Sequence, residues 1–107
     1  MGEYIQIITS TDSKENAEKI AEDLIQEKLA ACTQVLGPVK SSYWWEGNVE
    51  NANEWICIIK SKKALYNKIE KAIKKIHPYQ MPEIMALPVV EGNSDYLKWL
   101  DSEVKEV

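Results

Sequence analysis

Apolar and polar positions alternate with two different periods along this chain, and the switches between them mark its elements. The first run, Tyr4 to Thr9 (YIQIIT), is apolar on both faces of an extended segment. A strand of that kind is covered on both faces. Asp12 then opens a helix, with Glu15 completing an acidic capping box. Ala17, Ile20, Ala21, Leu24 and Ile25 recur at helical spacing, and the pattern runs out near Glu27 to Leu29. Thr33 to Trp45 reads as a long strand interrupted by Gly37-Pro38, a pair that fits a bulge or an edge position. Glu46-Gly47-Asn48 is a hairpin turn, and Val49 to Ser61 returns with Trp55 to Ile59 as its apolar centre. A second helix places Leu65, Ile69, Ala72, Ile73 and Ile76 on one face and Lys68, Lys71, Lys74 and Lys75 around the other. It stops at His77-Pro78, because the residue before proline avoids the helical region. The loop HPYQMPE leads to a fourth strand, Ile84 to Val89. Gly92-Asn93 then turns the chain, and Ser94 caps a short last helix that carries Tyr96, Trp99 and Leu100 inward.

Strand, helix, strand, strand, helix, strand is the order of the ferredoxin-like βαββαβ sandwich, an α+β fold. Residues 1–107 are expected to form a single domain of this kind, with a long central hairpin and a short C-terminal helix. The hairpin is too long for its own domain. A strand of about 13 residues spans about 43 Å, whereas a helix of about 16 residues spans about 24 Å. The overhanging half carries Tyr43, Trp44 and Trp45, and alternation sends Trp44 and Trp45 to opposite faces. Exposed aromatic surface of this size marks an interface. Tyr43, Trp44, Trp45 and Trp55 are therefore the candidate contacts between copies of the chain.

Composition narrows the partners. Of 107 residues, 45% are hydrophobic and 28% charged, enough for a buried core under a solvated surface. The net charge is -4 and all 13 basic residues are Lys. Nucleic-acid readers need a basic stripe and favour Arg, so no nucleic-acid partner is expected. No apolar run reaches the roughly 20 residues of a membrane span, and the opening MGEYIQII lacks the basic start of a secretory signal. A cytoplasmic protein is expected, with Cys32 and Cys57 as small buried hydrophobes. The 13 Lys and 13 Glu suggest the surface ion-pair networks of heat-stable proteins.

The fold leaves function open, but residue types exclude several of its occupants. The loop Ser10-Thr11-Asp12-Ser13 has no Cys-x-x-Cys pair for a copper chaperone. Without Arg there is no phosphate clamp of the acylphosphatase kind. Two cysteines do not hold an iron–sulfur cluster, and the first strand offers isoleucines where an RNA-recognition motif needs stacking rings. No nucleophile–base pair, phosphate loop or zinc spacing is present, so no enzymatic activity is expected.

Four segments in order carry a resemblance: Leu29-Ala30-Ala31-Cys32, Ser42-Tyr43-Trp44-Trp45-Glu46-Gly47, His77-Pro78-Tyr79-Gln80-Met81-Pro82-Glu83 and Gly92 to Leu100. Over about residues 4–102 the chain resembles the CutA family of divalent-cation tolerance proteins. The resemblance implies a cytoplasmic, non-catalytic homotrimer of ferredoxin-like subunits, related in shape to the PII signalling proteins, with a link to copper and other divalent metals. No cofactor is required; Cu²⁺ or another divalent cation is the implied ligand. Thr9 stands where the family's proposed ligands include a Cys, and Ile76 where some members have a second His. Cys32 and His77 remain as candidate metal ligands, an incomplete set for Cu²⁺ or Zn²⁺. Binding is expected to be weak and to fall as pH drops from 7.5 to about 5.5, with His77 leading and Cys32 held protonated by apolar surroundings. Tyr43, Trp45, Glu54, Lys60, Tyr79 and Glu83 are the candidate lining of an inter-subunit cleft. Two readings of these residues stand side by side: a structural ion pair between subunits, and a small-ligand site of a PII-like sensor reporting to a protein partner.

Overall fold

Residues 3–106 are described by a computed structural model. The elements are β1 (Tyr4–Thr11), α1 (Lys14–Gln26), β2 (Cys32–Trp45), β3 (Asn48–Lys62), a 3-10 turn (Lys63–Leu65) running into α2 (Tyr66–Ile76), β4 (Ile84–Pro88) and α3 (Ser94–Glu103). The strands form one antiparallel sheet in the order β2-β3-β1-β4, the expected ferredoxin-like arrangement. The expectation about the first residues falls partly on Met1 and Gly2, which lie outside the described residues.

Alternation along the central strands sorts the side chains. Ile5, Ile7 and Thr9 of β1 and Cys57, Ile59 and Ser61 of β3 lie opposite one another on the face covered by α1 and α2. Ile20, Leu24, Ile69 and Ile73 complete this core, each almost wholly buried. The other face, which neither α1 nor α2 covers, carries Ile8, Ile56, Ile58, Leu36, Met85 and Leu87. Met85 and Leu87 stay exposed there.

The caps differ from expectation by one residue. β1 runs two residues beyond Thr9, so the chain is still extended at Ser13 (φ -146°, ψ 151°). Ser13, not Asp12, caps α1, its Oγ accepting from the backbone N–H of Asn16 at 3.1 Å. Asp12 takes the Asn16 side-chain amide instead. At the far end Lys28 adopts φ 57°, and the N–H groups of Lys28 and Leu29 donate to the carbonyls of Ile25 and Leu24. That closes α1 as a Schellman motif, with Leu24 and Leu29 both buried. α3 is capped by Asn93, whose Oδ1 accepts from the Tyr96 N–H at 3.0 Å, and not by Ser94. Only Leu100 of the expected trio points inward. Tyr96 and Trp99 lie against each other on the outer side, ring centroids 5.5 Å apart.

Lys62–Asp101 at 2.9 Å and Lys74–Glu70 at 3.7 Å are the ion pairs among the described residues. The expected network is not formed within the chain, because α2 crowds its lysines around a single acid, Glu70. No helix among the described residues is long and apolar enough to cross a membrane.

The hairpin closes through Glu46 and Gly47 at φ 49° and 82°, the signature of a type I′ turn. β1 reaches only as far as Trp55, its partner for Thr11. Asn48 to Glu54 therefore pair with β2 alone, and half of the hairpin stands as a two-stranded ribbon. A bulge interrupts β2 between Leu36 and Val39. Gly37 lies so close to the Trp55 ring that a Cβ there would come within 2.7 Å of it.

Candidate functional site

The ribbon leaves β1 behind at Glu54, and the loop between α2 and β4 fills the gap. Pro78 ends α2 and Pro82 precedes β4, so this loop is constrained at both ends. It bends Tyr79 back toward the hairpin, where the phenol donates to Glu54 Oε2 at 2.7 Å. Burial, the hydrogen bond to Glu54 and the neighbouring negative charge, in that order, push the Tyr79 hydroxyl well above its usual range. Glu54 is itself only 6% exposed.

His77 braces the loop. The residue is 8% exposed, and its ring meets Tyr79 edge-on, with centroids 4.8 Å apart. Nδ1 accepts the Tyr79 backbone N–H at 3.2 Å, and Nε2 lies 2.7 Å from the Ser10 carbonyl. That pattern fixes the neutral tautomer with its proton on Nε2. Ser10 in turn donates from Oγ to Glu83 Oε1 at 3.2 Å. A chain of contacts thus runs from Glu83 through Ser10, His77 and Tyr79 to Glu54.

Above this chain lies a cleft of about 740 Å³ between loop and hairpin. Tyr43, Trp45 and Glu50 wall it on the hairpin side, Tyr79 and Met81 on the loop side, and Ser10 and Glu83 lie at its base. Of the residues singled out from the sequence, Tyr43, Trp45, Glu54, Tyr79 and Glu83 come together here. Lys60 does not line the cleft. It sits six positions from Glu54 along β3, about 20 Å away at ~3.3 Å per residue. Ser10 and Glu50 were not legible as site residues. Their signal was their register: Ser10 faces the same side as Ile8, and Glu50 lies directly across from Tyr43.

Trp44 is 74% exposed on the ribbon, while Trp55 is half-buried against Gly37. Cys32 is half-buried, not enclosed as expected, and lies opposite Lys60 on the uncovered face. Ser10, the partner of His77, is level with Ile56, four positions from Lys60 along β3 and thus about 13 Å away. Cys32 and His77 are therefore not brought together within a chain. Both His77 ring nitrogens are engaged, and among the described residues no group of three or more His, Cys, Asp or Glu side chains is arranged to hold a metal ion. The donor set of one chain does not fit a resident metal. Cys57, not Cys32, is the sealed thiol, and burial pushes it up to about 12. Thr9 Oγ is buried without a hydrogen-bond partner among the described residues.

Comparison with known proteins is consistent along nearly the whole chain. Residues 5–103 match the family described as CutA1 divalent ion tolerance protein. The chloroplastic protein CutA 1 of Oryza sativa is 37% identical over 102 residues, which cover 95% of this chain and 58% of the rice protein. The chain thus spans little more than half the length of that relative. The divalent-cation tolerance protein CutA of Thermus thermophilus is 38% identical over 94 residues, covering 88% of this chain and 91% of its own. The crystal structure of CutA1 from Oryza sativa superposes with a TM-score of 0.95 at 36% identity, covering 98% of this chain and 96% of that one. The Archaeoglobus fulgidus structure, at a TM-score of 0.92 and 36% identity over 95% of this chain and 99% of its own, is described as periplasmic. Compartment is thus not uniform among these relatives.

Proposed function

The chain belongs to the CutA1 divalent ion tolerance protein family, and on that premise we propose that it is a non-catalytic, cytoplasmic homotrimer whose working element is the cleft between hairpin and loop. The observation that carries this reading is the braced array around Glu54. A buried carboxylate, a tyrosine aimed at it and a histidine fixed in one tautomer are arranged around about 740 Å³ of space. Such a volume suits a small molecule.

The trimer reading is supported by two surfaces that one chain leaves open, the apolar sheet face and the ribbon. An isolated two-stranded hairpin is marginal in water, so packing against sister chains would supply the missing contacts. Divalent cations enter this reading as weak ligands held by groups from more than one chain, since one chain's donors do not converge.

Native mass spectrometry tests the assembly. A species of about 37 kDa, three times the 12.3 kDa chain, is expected. Calorimetry with Cu²⁺ tests the metal. Weak binding is expected, and a tight site lost in Cys32→Ser would restore a thiolate copper centre and overturn this ranking.

A further inference from the structure

The chemistry of the cleft lining selects its occupant. Three of the lining side chains are carboxylates, Glu50, Glu54 and Glu83, and three are aromatic, Tyr43, Trp45 and Tyr79; no Lys or His lines it. Carboxylates on a surface are ordinarily solvated and carry no message. Glu54 differs, because it is more than nine-tenths buried. Its Oε2 takes the Tyr79 hydroxyl, while Oε1 has no donor among the described residues and is not sealed off. A carboxylate at that depth accepts several hydrogen bonds when satisfied. The unfilled position opens on the cleft and asks for a donor, preferably a charged one.

The other lining groups discriminate among donors. An anion meets three carboxylates and no cation. A hard divalent ion needs several converging oxygens, and no such group is formed. A neutral polyol offers donors without charge. An organic ammonium supplies both, and its C–H shell suits the faces of Tyr43 and Trp45 on the hairpin wall. We propose that the cleft binds a small aliphatic amine in its protonated form, with an N–H directed at Glu54 Oε1 and its carbon chain along Tyr43 and Trp45. This rests on the reading of the cleft as a ligand site and names the ligand class.

The test is titration of the whole protein with 1,4-diaminobutane, followed by tryptophan fluorescence and calorimetry, with native mass spectrometry on the same sample. Saturable binding is expected, weakened at least tenfold in Glu54→Gln and severalfold in Tyr43→Leu. Tetramethylammonium, which has the charge without an N–H, should bind at least tenfold more weakly than the diamine, and glutarate not at all. Tyr43→Leu lies on the exposed ribbon, so it reads the cleft even if Glu54→Gln fails to fold. No saturable binding to the parent protein overturns the proposal, as does diamine affinity unchanged in both variants. Binding of glutarate or glycerol in place of the diamine keeps the cleft as a ligand site and rejects the amine. A monomeric mass counts against the trimer, and the amine is then judged by the same titration on that monomer.

Discussion

The two halves of β3 have the same neighbour on one side and opposite fates on the other. From Trp55 to Lys62 the strand pairs with β1, lies next to β2 as far as Lys60 and is roofed by helices, and Cys57, Ile59 and Ser61 are fully buried. From Asn48 to Glu54 it has β2 alone, and all but Ala52 and Glu54 are exposed. The helix-covered half is stabilised by its own chain, and the ribbon by whatever it meets. Stability and association should therefore respond to different substitutions.

The largest effect belongs to the covered half. Ile73→Asp places an unpaired charge among Ile20, Leu24 and Ile69, at a cost comparable to the roughly 5–15 kcal/mol that holds a domain of this size together. Circular dichroism should show an unfolded chain at every protein concentration. Trp44→Glu, on the ribbon, should leave the monomer's secondary structure intact while costing several kcal/mol of association. Native mass spectrometry should show the trimer lost or strongly weakened, and a variant that stays fully trimeric and as heat-stable as the parent removes Trp44 from the interface.

A third prediction turns on Cys57 at the centre of the covered half. Burial holds its thiol neutral in the folded state up to about 12, against an ordinary value of 9.0. Burial raises the folded value, so the contribution to stability is complete below pH 9 and is lost as pH climbs toward 12. Melting temperature should fall steeply across that window, and less steeply in Cys57→Ala, whose unfolded state has no thiol to ionise at that position. An identical pH slope in the variant would assign the alkaline loss elsewhere. Gly37→Ala, at the junction of the two halves, should cost less than Ile73→Asp, about 1–3 kcal/mol from overpacking against Trp55 with strain at φ 155° added to it. Denaturant midpoints measure it, and an unchanged midpoint would show that the ring yields freely.

The sequence made the covered half legible because its signals are local. Helical spacing at Ala17, Ile20, Ala21 and Leu24, the Pro stop after His77 and the Glu46-Gly47 turn each act within a few residues. The caps were off by one because Asp12 and Ser13 are both good caps, and the length of β1 chose between them. The site was legible only in part. Tyr79, Glu54 and Glu83 stood out as polar residues in apolar or Pro-rich settings. That Tyr79 reaches Glu54 while Lys60 lies far off depends on register, which no local pattern carries. The inward turn of His77 was equally out of reach, since its partner Ser10 is 67 positions away.

Register also explains how the bulge in β2 allots the aromatic rings. Before it, Gln34 and Leu36 face Ile58 and Ile56; after it, Val39, Tyr43 and Trp45 face Glu54, Glu50 and Asn48. Across the interruption β2 advances three residues while β3 advances two, so even-numbered side chains occupy the uncovered side on one flank and odd-numbered ones on the other. An uninterrupted β2 of the same sequence would turn Trp44 into the cleft and carry Tyr43 and Trp45 to the opposite side. A single surplus residue thus acts as a parity switch. Smoothing the bulge without removing a residue would keep every hydrophobic residue in the hairpin and still empty the cleft of its walls, whereas deleting the surplus residue would leave Tyr43 and Trp45 where they are.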